Sequence, residues 1–375
     1  MRKVIVATDS FKGSLSAPQA CRIIARQARL IFPGAEVLEV PIADGGEGLV
    51  EVVFQNMAGS HLKKQASDPL GRPIWGSYVR LENGAAVIEM AAAAGLPLLK
   101  RNELNPLQTT TVGVGELIKD AIENGADPIH IGLGGSATVD GGTGAASVLG
   151  IQFLDEWGRG VISGGGLQKI KCLDLQGLKE LNYSGRLVFL TDVNNPLCGP
   201  NGAAAVFGPQ KGASADQVEE LELGLEHLVS VVEQESGLNL KDIPGMGAAG
   251  GFALPFVAFM GAEIRSGIDF VLDLIDFDQK LAGTDLVITG EGRTDAQSAM
   301  GKAISAVARR SQTAGLRVAV ISGALGKGAE EMYALGVQDL VQAKPAGQPL
   351  EQALARAAEN LADASRRYFE SLAVS

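Results

Sequence analysis

The sequence predicts two α/β domains, one inserted into the other. Three observations predict it. The 375 residues exceed the size at which a single core usually stops growing. Both ends of the chain alternate apolar strand-like runs with helical patterns, and the middle shifts to short strands set apart by turn residues. Strand–helix alternation is the grammar of a parallel sheet covered by helices. The change of texture places an inserted mixed α/β domain at 61–279, inside a parallel-sheet domain made of 1–60 and 280–375. The groove between two such domains is the default binding site.

The elements justify this in order. Residues 4–7 form a short buried-type strand, and Ser16 with Gln19 three residues on reads as a capping box that starts a helix. A second strand at 37–41 and a helix at 49–57 follow. Runs at 62–66, 75–81 and 86–89, separated by Pro69, Gly71, Pro73 and the Asn83-Gly84 turn, predict antiparallel strands. A helix at 115–124, a strand at 128–132 and a glycine-rich loop at 134–144 come next. An apolar strand spans 187–190, and a long acidic helix starts after Ala213 and ends near Gly237. The last third predicts strands at 286–289 and 318–322 and helices at 302–314, up to Leu335, and at 350–372.

Composition excludes several classes. With 43 acidic against 32 basic residues the formal charge is −11, which repels nucleic-acid backbones and anionic membrane surfaces. A small anionic substrate remains open, because a few cations and backbone N–H groups can reverse the field within a pocket. Cys21, Cys172 and Cys198 are odd in number and widely spaced, which suits neither a disulfide framework nor paired zinc ligands and points to a reducing, cytoplasmic compartment. The apolar start is too short for a secretory signal, and no apolar run approaches the ~20 residues that span a bilayer.

The 49 glycines exceed the ~7% of average usage and gather in loops. Four such segments are ADGGEG at 43–48, GLGGSATVDGG at 132–142, PGMGAAGG at 244–251 and TGEGRTD at 289–295. Backbone that can approach a ligand at a helix start is an anion site, and carboxylates in three of the four could hold Mg²⁺, so together they point to nucleotide phosphate chemistry. Gly301-Lys302 is followed by Ala303 and preceded by Ala296 where a P-loop needs Gly, so this is no Walker motif. A dinucleotide fingerprint after the first strand and the protein-kinase motifs are missing as well. Of the three histidines, His130 lies in a strand and reads as a core residue.

Six blocks in one order along the whole chain resemble the bacterial type I glycerate kinases: DSFKGSLS at 9–16, ADGGEG at 43–48, GGSAT at 134–138, DVNNPL at 192–197, FGPQKGA at 207–213 and TGEGRTDAQS at 289–298. The resemblance implies ATP-dependent phosphorylation of D-glycerate, in many members to 2-phosphoglycerate. It also implies a two-domain fold with a flavodoxin-like or Rossmann-like part. Val139 stands where many relatives carry Asn, and Thr8 where Pro is common.

Roles then follow from what phosphoryl transfer needs: charge neutralisation, a metal bridge and a positioned acceptor. Lys12 and Lys211 are candidates to contact phosphate or the glycerate carboxylate, each otherwise a loop lysine. Arg293 offers a planar fork for a carboxylate or phosphate, or else a surface ion pair. Asp192, past a strand end, is the first choice for the base that takes the hydroxyl proton; the alternative is an Asx turn near Asn194. Glu47, Glu291 and Asp295 are the metal candidates, with helix capping the alternative. Asp9, Ser10, Asp44, Gly45, Gly46, Gly134, Gly135, Ser136, Thr138 and Gly290 complete the expected binding set. The expected partners are ATP, Mg²⁺ and glycerate, with no nucleic acid and no membrane. Two other readings stay open: a kinase of another small polyol or hydroxy acid, since GLGGSA faintly echoes the GLGSSA loop of galactokinase and homoserine-kinase enzymes, and a non-catalytic hydroxy-acid sensor.

Overall fold

The computed structural model describes residues 1–375 except Asp44, Glu47, Asn182, Met300, Gly301, Lys302 and Ser375. Contacts divide the chain into two compact units, one of Met1–Asp44, Glu51–Asn56 and Gly267–Ser375, the other of Gly45–Val50 and Met57–Ser266. The strands used below are β1 (Lys3–Thr8), β2 (Glu36–Glu39), β3 (Gly59–Ser67), β4 (Pro73–Leu81), β5 (Ala86–Glu89), β6 (Ile129–Gly132), β7 (Leu187–Leu190), β8 (Glu263–Arg265), β9 (Leu286–Gly290), β10 (Arg317–Ser322) and β11 (Val337–Gln342). The helices are α1 (Ala17–Ile31), α2 (Leu49–Asn56), α3 (Val112–Glu123), α4 (Ala215–Ser236), α5 (Gly267–Leu274), α6 (Ala303–Thr313), α7 (Leu350–Ala355) and α8 (Ala357–Val374).

The first unit is built on a five-stranded sheet of order β11-β10-β9-β1-β2, parallel throughout, with Val4 opposite Leu286 and Thr8 opposite Gly290. Val4, Ile5, Val6, Leu286, Val287 and Ile288 are fully buried, as expected of strands covered on both faces. The residues of α1 that meet the sheet, Ala17, Ala20, Cys21, Ile24, Ala25 and Ala28, recur at helical spacing. Its start is fixed where the sequence predicts it, with Ser16 N donating to Gln19 Oε1 at 2.9 Å. The sheet's chain order reverses at β1, which lies between β2 and β9. Ligands of open α/β sheets bind outside the carboxyl ends of strands at such a switch point.

The boundary at 279/280 differs from the contact units. The helices Gly267–Leu274 and Phe277–Lys280 pack in the first unit, where Arg310 of α6 is held by Asp269, Asp273 and Asp278. Two further differences lie nearby. Edge strand β11 is unpredicted because its sequence, VQDLVQ, is largely half-exposed and carries no apolar run. The helix expected as one piece over 350–372 is two, α7 and α8, parted at Arg356, whose φ/ψ of −109°/22° leaves the helical region.

The second unit carries a mixed six-stranded sheet, β8-β7-β6-β5-β4-β3, antiparallel between β3, β4 and β5 and parallel from β5 to β8. Its core includes an aromatic cluster of Phe189, Phe252 and Phe256 with ring centroids 5.2–5.5 Å apart. Within the expected loop at 134–144 the chain already turns into a short helix, Thr143–Val148. Among the described residues no helix is long and apolar enough to cross a membrane.

Candidate active site

The first unit's candidate side chains stand on loops that leave the carboxyl ends of β1, β9, β10 and β11. After β1 the chain makes a tight turn in which Phe11 N donates to Leu15 O and Leu15 N to Phe11 O, at 2.9 and 3.0 Å. Phe11 is buried beneath it, so Lys12 projects from a fixed support and is itself exposed. Asp9 N donates to Gly290 O at 2.9 Å, tying this turn to the end of β9. Gly290 is required by close approach: a Cβ there would lie 1.9 Å from Ile321 O of the adjacent strand.

Beyond Gly290 the chain lays Arg293 and Thr294 beside Ala324 and Leu325 in a short parallel pair. The buried hydroxyls of Thr294 and Ser322 lie 2.7 Å apart, and Glu291 N donates to Ser322 Oγ at 3.3 Å. Gly323 N donates to Glu291 O and Lys344 N to Gly323 O, so three successive strand-end loops are stitched together. They enclose a cavity of about 630 Å³ lined by Asp9, Ser10, Lys12, Glu291, Arg293 and Asp295, with Lys344 added from the loop after β11. Arg293 Nε lies 3.5 Å from Asp295 Oδ2. Further lining comes from Phe11, Ala324 and Ala343 of the strand-end loops and from Leu350, Ala353, Leu354, Ala357 and Asn360 of α7 and α8.

The second unit gathers a different set. Loops after β6 and β7 leave the same end of adjacent parallel strands, with Leu133 N donating to Leu190 O at 3.0 Å. Gly134 approaches the 45–46 turn so closely that a Cβ would lie 2.3 Å from Gly46 Cα, and a Cβ at Gly132 would meet Gly45 O at 2.5 Å. Gly135 is exposed on the turn, whereas Ser136 and Thr138 are buried.

Lys211 is 2% exposed and sits beneath this loop, its Nζ donating to Ser136 Oγ at 2.8 Å and to Thr138 O at 2.7 Å. Burial pushes its pKa down to about 7, against the opposing charge of Asp140. Among the described residues it forms no ion pair. Thr138 Oγ1, fully buried, has no hydrogen-bond partner among them. Asp192 follows β7 and is half-buried, with Ser266 Oγ donating to its Oδ1 at 2.8 Å.

Of the expected residues, Asp9, Ser10, Lys12, Gly290, Glu291, Arg293 and Asp295 thus come together in the first unit, and Gly45, Gly46, Gly134, Gly135, Ser136, Thr138 and Lys211 in the second. Asp44 and Glu47 lie outside the described residues. Among the described residues no group of three or more His, Cys, Asp or Glu is placed to hold a metal ion. His130 stays in mid-strand, its pKa pushed down to about 4 by burial.

Two residues escape sequence reasoning. Lys344 reaches the cavity only because β11 exists, and that strand has no clear pattern. Asp140 lies in a segment singled out for its glycines, yet its role depends on a threonine far away in sequence. It is fully buried and accepts from Thr111 N at 2.8 Å, Thr111 Oγ1 at 2.7 Å, Gly142 N at 3.1 Å and Gly144 N at 3.4 Å. Burial pushes its carboxyl above the ordinary range despite these bonds. Asp140 therefore clamps the glycine-rich loop to the start of α3.

Comparison with known proteins gives one consistent result. A sequence profile described as the glycerate kinase family matches residues 4–373. The chain is 41% identical over 366 residues to a glycerate kinase of Bacillus subtilis (strain 168), covering 97% of this chain and 96% of the relative. It is 39% identical over 374 residues to the glycerate 2-kinase of Escherichia coli (strain K12), covering 99% and 98%. A crystal structure of a protein provisionally assigned as glycerate kinase 2, from Salmonella typhimurium LT2, superposes with a TM-score of 0.84 at 37% identity, covering 99% of this chain and 98% of that one.

Proposed function

Because this chain belongs to the glycerate kinase family, we propose that it transfers the γ-phosphoryl group of ATP to the 2-hydroxyl of D-glycerate. The observation that carries the chemistry is the cavity of the first unit, where Lys12, Arg293 and Lys344 share one hollow with Glu291 and Asp295 at a sheet switch point. Cations and backbone dipoles held in place before the substrate arrives are what a phosphoryl group with developing charge requires. The relative named a glycerate 2-kinase supports the choice of the 2-hydroxyl.

In the step itself, the hydroxyl oxygen of glycerate forms a bond to the γ-phosphorus while the bond from that phosphorus to the bridging oxygen breaks, leaving ADP. Asp192 takes the hydroxyl proton, a role that suits a carboxylate whose one oxygen is already oriented by Ser266. Lys12 and Arg293 hold phosphate oxygens. Lys211 is a positioning residue, its amine fixing the Ser136–Thr138 turn so that the Gly134 and Gly135 amides face the ligand.

The residues also suit Mg²⁺. This ion takes oxygen donors and keeps several positions for water and phosphate, so two carboxylates on one cavity are enough, and Glu291 and Asp295 supply them. When bound, it would neutralise phosphate charge. Free thiols at Cys21, Cys172 and Cys198, together with the use of ATP, support work in the cytoplasm.

Purified protein with ATP, Mg²⁺ and D-glycerate should release ADP only when glycerate is present, EDTA should abolish the release, and Mg²⁺ should restore it. Release undiminished by chelation removes the metal role. Binding of glycerate with no release of ADP identifies a sensor instead of a kinase.

A further inference from the structure

We infer that the apolar wall of the first unit's cavity is the seat of a purine ring, so that this unit holds the nucleotide rather than the hydroxy acid. The inference rests on ATP as the phosphoryl donor and adds where its two ends lie.

The cavity's lining comes from two chemically different sets of elements. One is formed by strand-end loops and carries Lys12, Arg293 and Lys344. The other is the side of α7 and the first turn of α8, which contributes Leu350, Ala353, Leu354 and Ala357. Leu350 and Leu354 are one helical turn apart and remain 68% and 40% exposed, so the protein's own core does not use them. Glycerate, three carbons long and oxygenated on each, has nothing to place on four aliphatic side chains. A purine nucleotide has two apolar ring faces and a charged tail held at a distance by the ribose, which suits a lining that supplies aliphatic side chains from two helices and cations from the strand-end loops.

Volume agrees, since about 630 Å³ falls in the ~300–1,000 Å³ range of sites for drug-sized ligands and is far larger than a three-carbon acid fills. Asn360 of α8 also lines the cavity. Its amide nitrogen donates to Gln348 Oε1 at 2.9 Å, which orients the carbonyl oxygen to accept from an exocyclic amine such as that of adenine.

The test uses the full chain carrying Leu350→Ser and Leu354→Ser, both at exposed positions, with circular dichroism to check folding. Calorimetric titration of ADP should show affinity on the order of tenfold weaker than in the unchanged protein. The KM for ATP should rise by a similar factor while the KM for glycerate stays within about twofold. Inhibition by inorganic tripolyphosphate, which has the charge but no purine, should be unchanged.

A raised KM for glycerate with unaltered ADP binding would assign the cavity to the hydroxy acid and overturn the inference. Unaltered constants throughout would overturn it as well. Weakened ADP binding in a protein that shows no glycerate-dependent turnover would leave the purine seat standing and reject the kinase reading, so the two fail separately.

Discussion

Lys211 shows how far a residue's role can depart from what its neighbours in sequence imply. Read alone, a lysine between a Gly-Pro turn and a helix start is a phosphate ligand or a solvated side chain. In the fold it is neither exposed nor ion-paired among the described residues, and its amine is committed to Ser136 and Thr138. The consequence is a pH signature. Its folded pKa of about 7 lies below the ordinary 10.5, so between these values the unfolded chain binds a proton that the native protein does not. Stability therefore rises with pH across that window and loses this contribution as pH falls through about 7. Lys211→Met should lack the rise. Urea titrations of both proteins at pH 6.5 and 9.5 check it, and an equal gain in both would contradict the assignment. Asp192→Asn should keep the fold, because Ser266 can still donate to the amide oxygen, and should lower kcat about a hundredfold or more with little change in either KM. Near-normal turnover would remove Asp192 as the base.

At the scale of elements, legibility follows burial. The strands β1, β7 and β9 each carry a short buried apolar run, at 4–7, 187–190 and 286–288, and the sequence marks them because residues covered on both faces of a sheet are apolar. Helix α4 is marked at both ends, by Ser214 with Gln217 and by Gly237 in the left-handed region. Edge strand β11 has solvent on one side and so alternates only loosely, which hides both the strand and Lys344 just beyond it. The break between α7 and α8 carries no proline or glycine, so nothing local announces it. Glycine-rich segments stand out in the sequence as candidate ligand loops, whereas the role of Asp140 does not, because its partner Thr111 is supplied by tertiary folding.

At the scale of the molecule, two facts about a whole chain meet: a family match over residues 4–373 and a set of cationic and acidic side chains at the carboxyl edge of a parallel sheet. Family resemblance was legible from six short blocks because phosphate chemistry confines residue types and backbone conformation where the ligand lies. The inferred seat of the nucleotide was not, since the aliphatic residues of α7 and α8 that line the cavity carry no motif. The central claim is transfer of a phosphoryl group to glycerate. Phosphorus NMR of a reaction containing the protein, ATP, Mg²⁺ and D-glycerate tests it directly. Loss of the γ-phosphate signal should be matched by a new monoester signal that coincides with added 2-phosphoglycerate. Conversion of the γ-phosphate to inorganic phosphate alone, or an unchanged ATP spectrum, would contradict it.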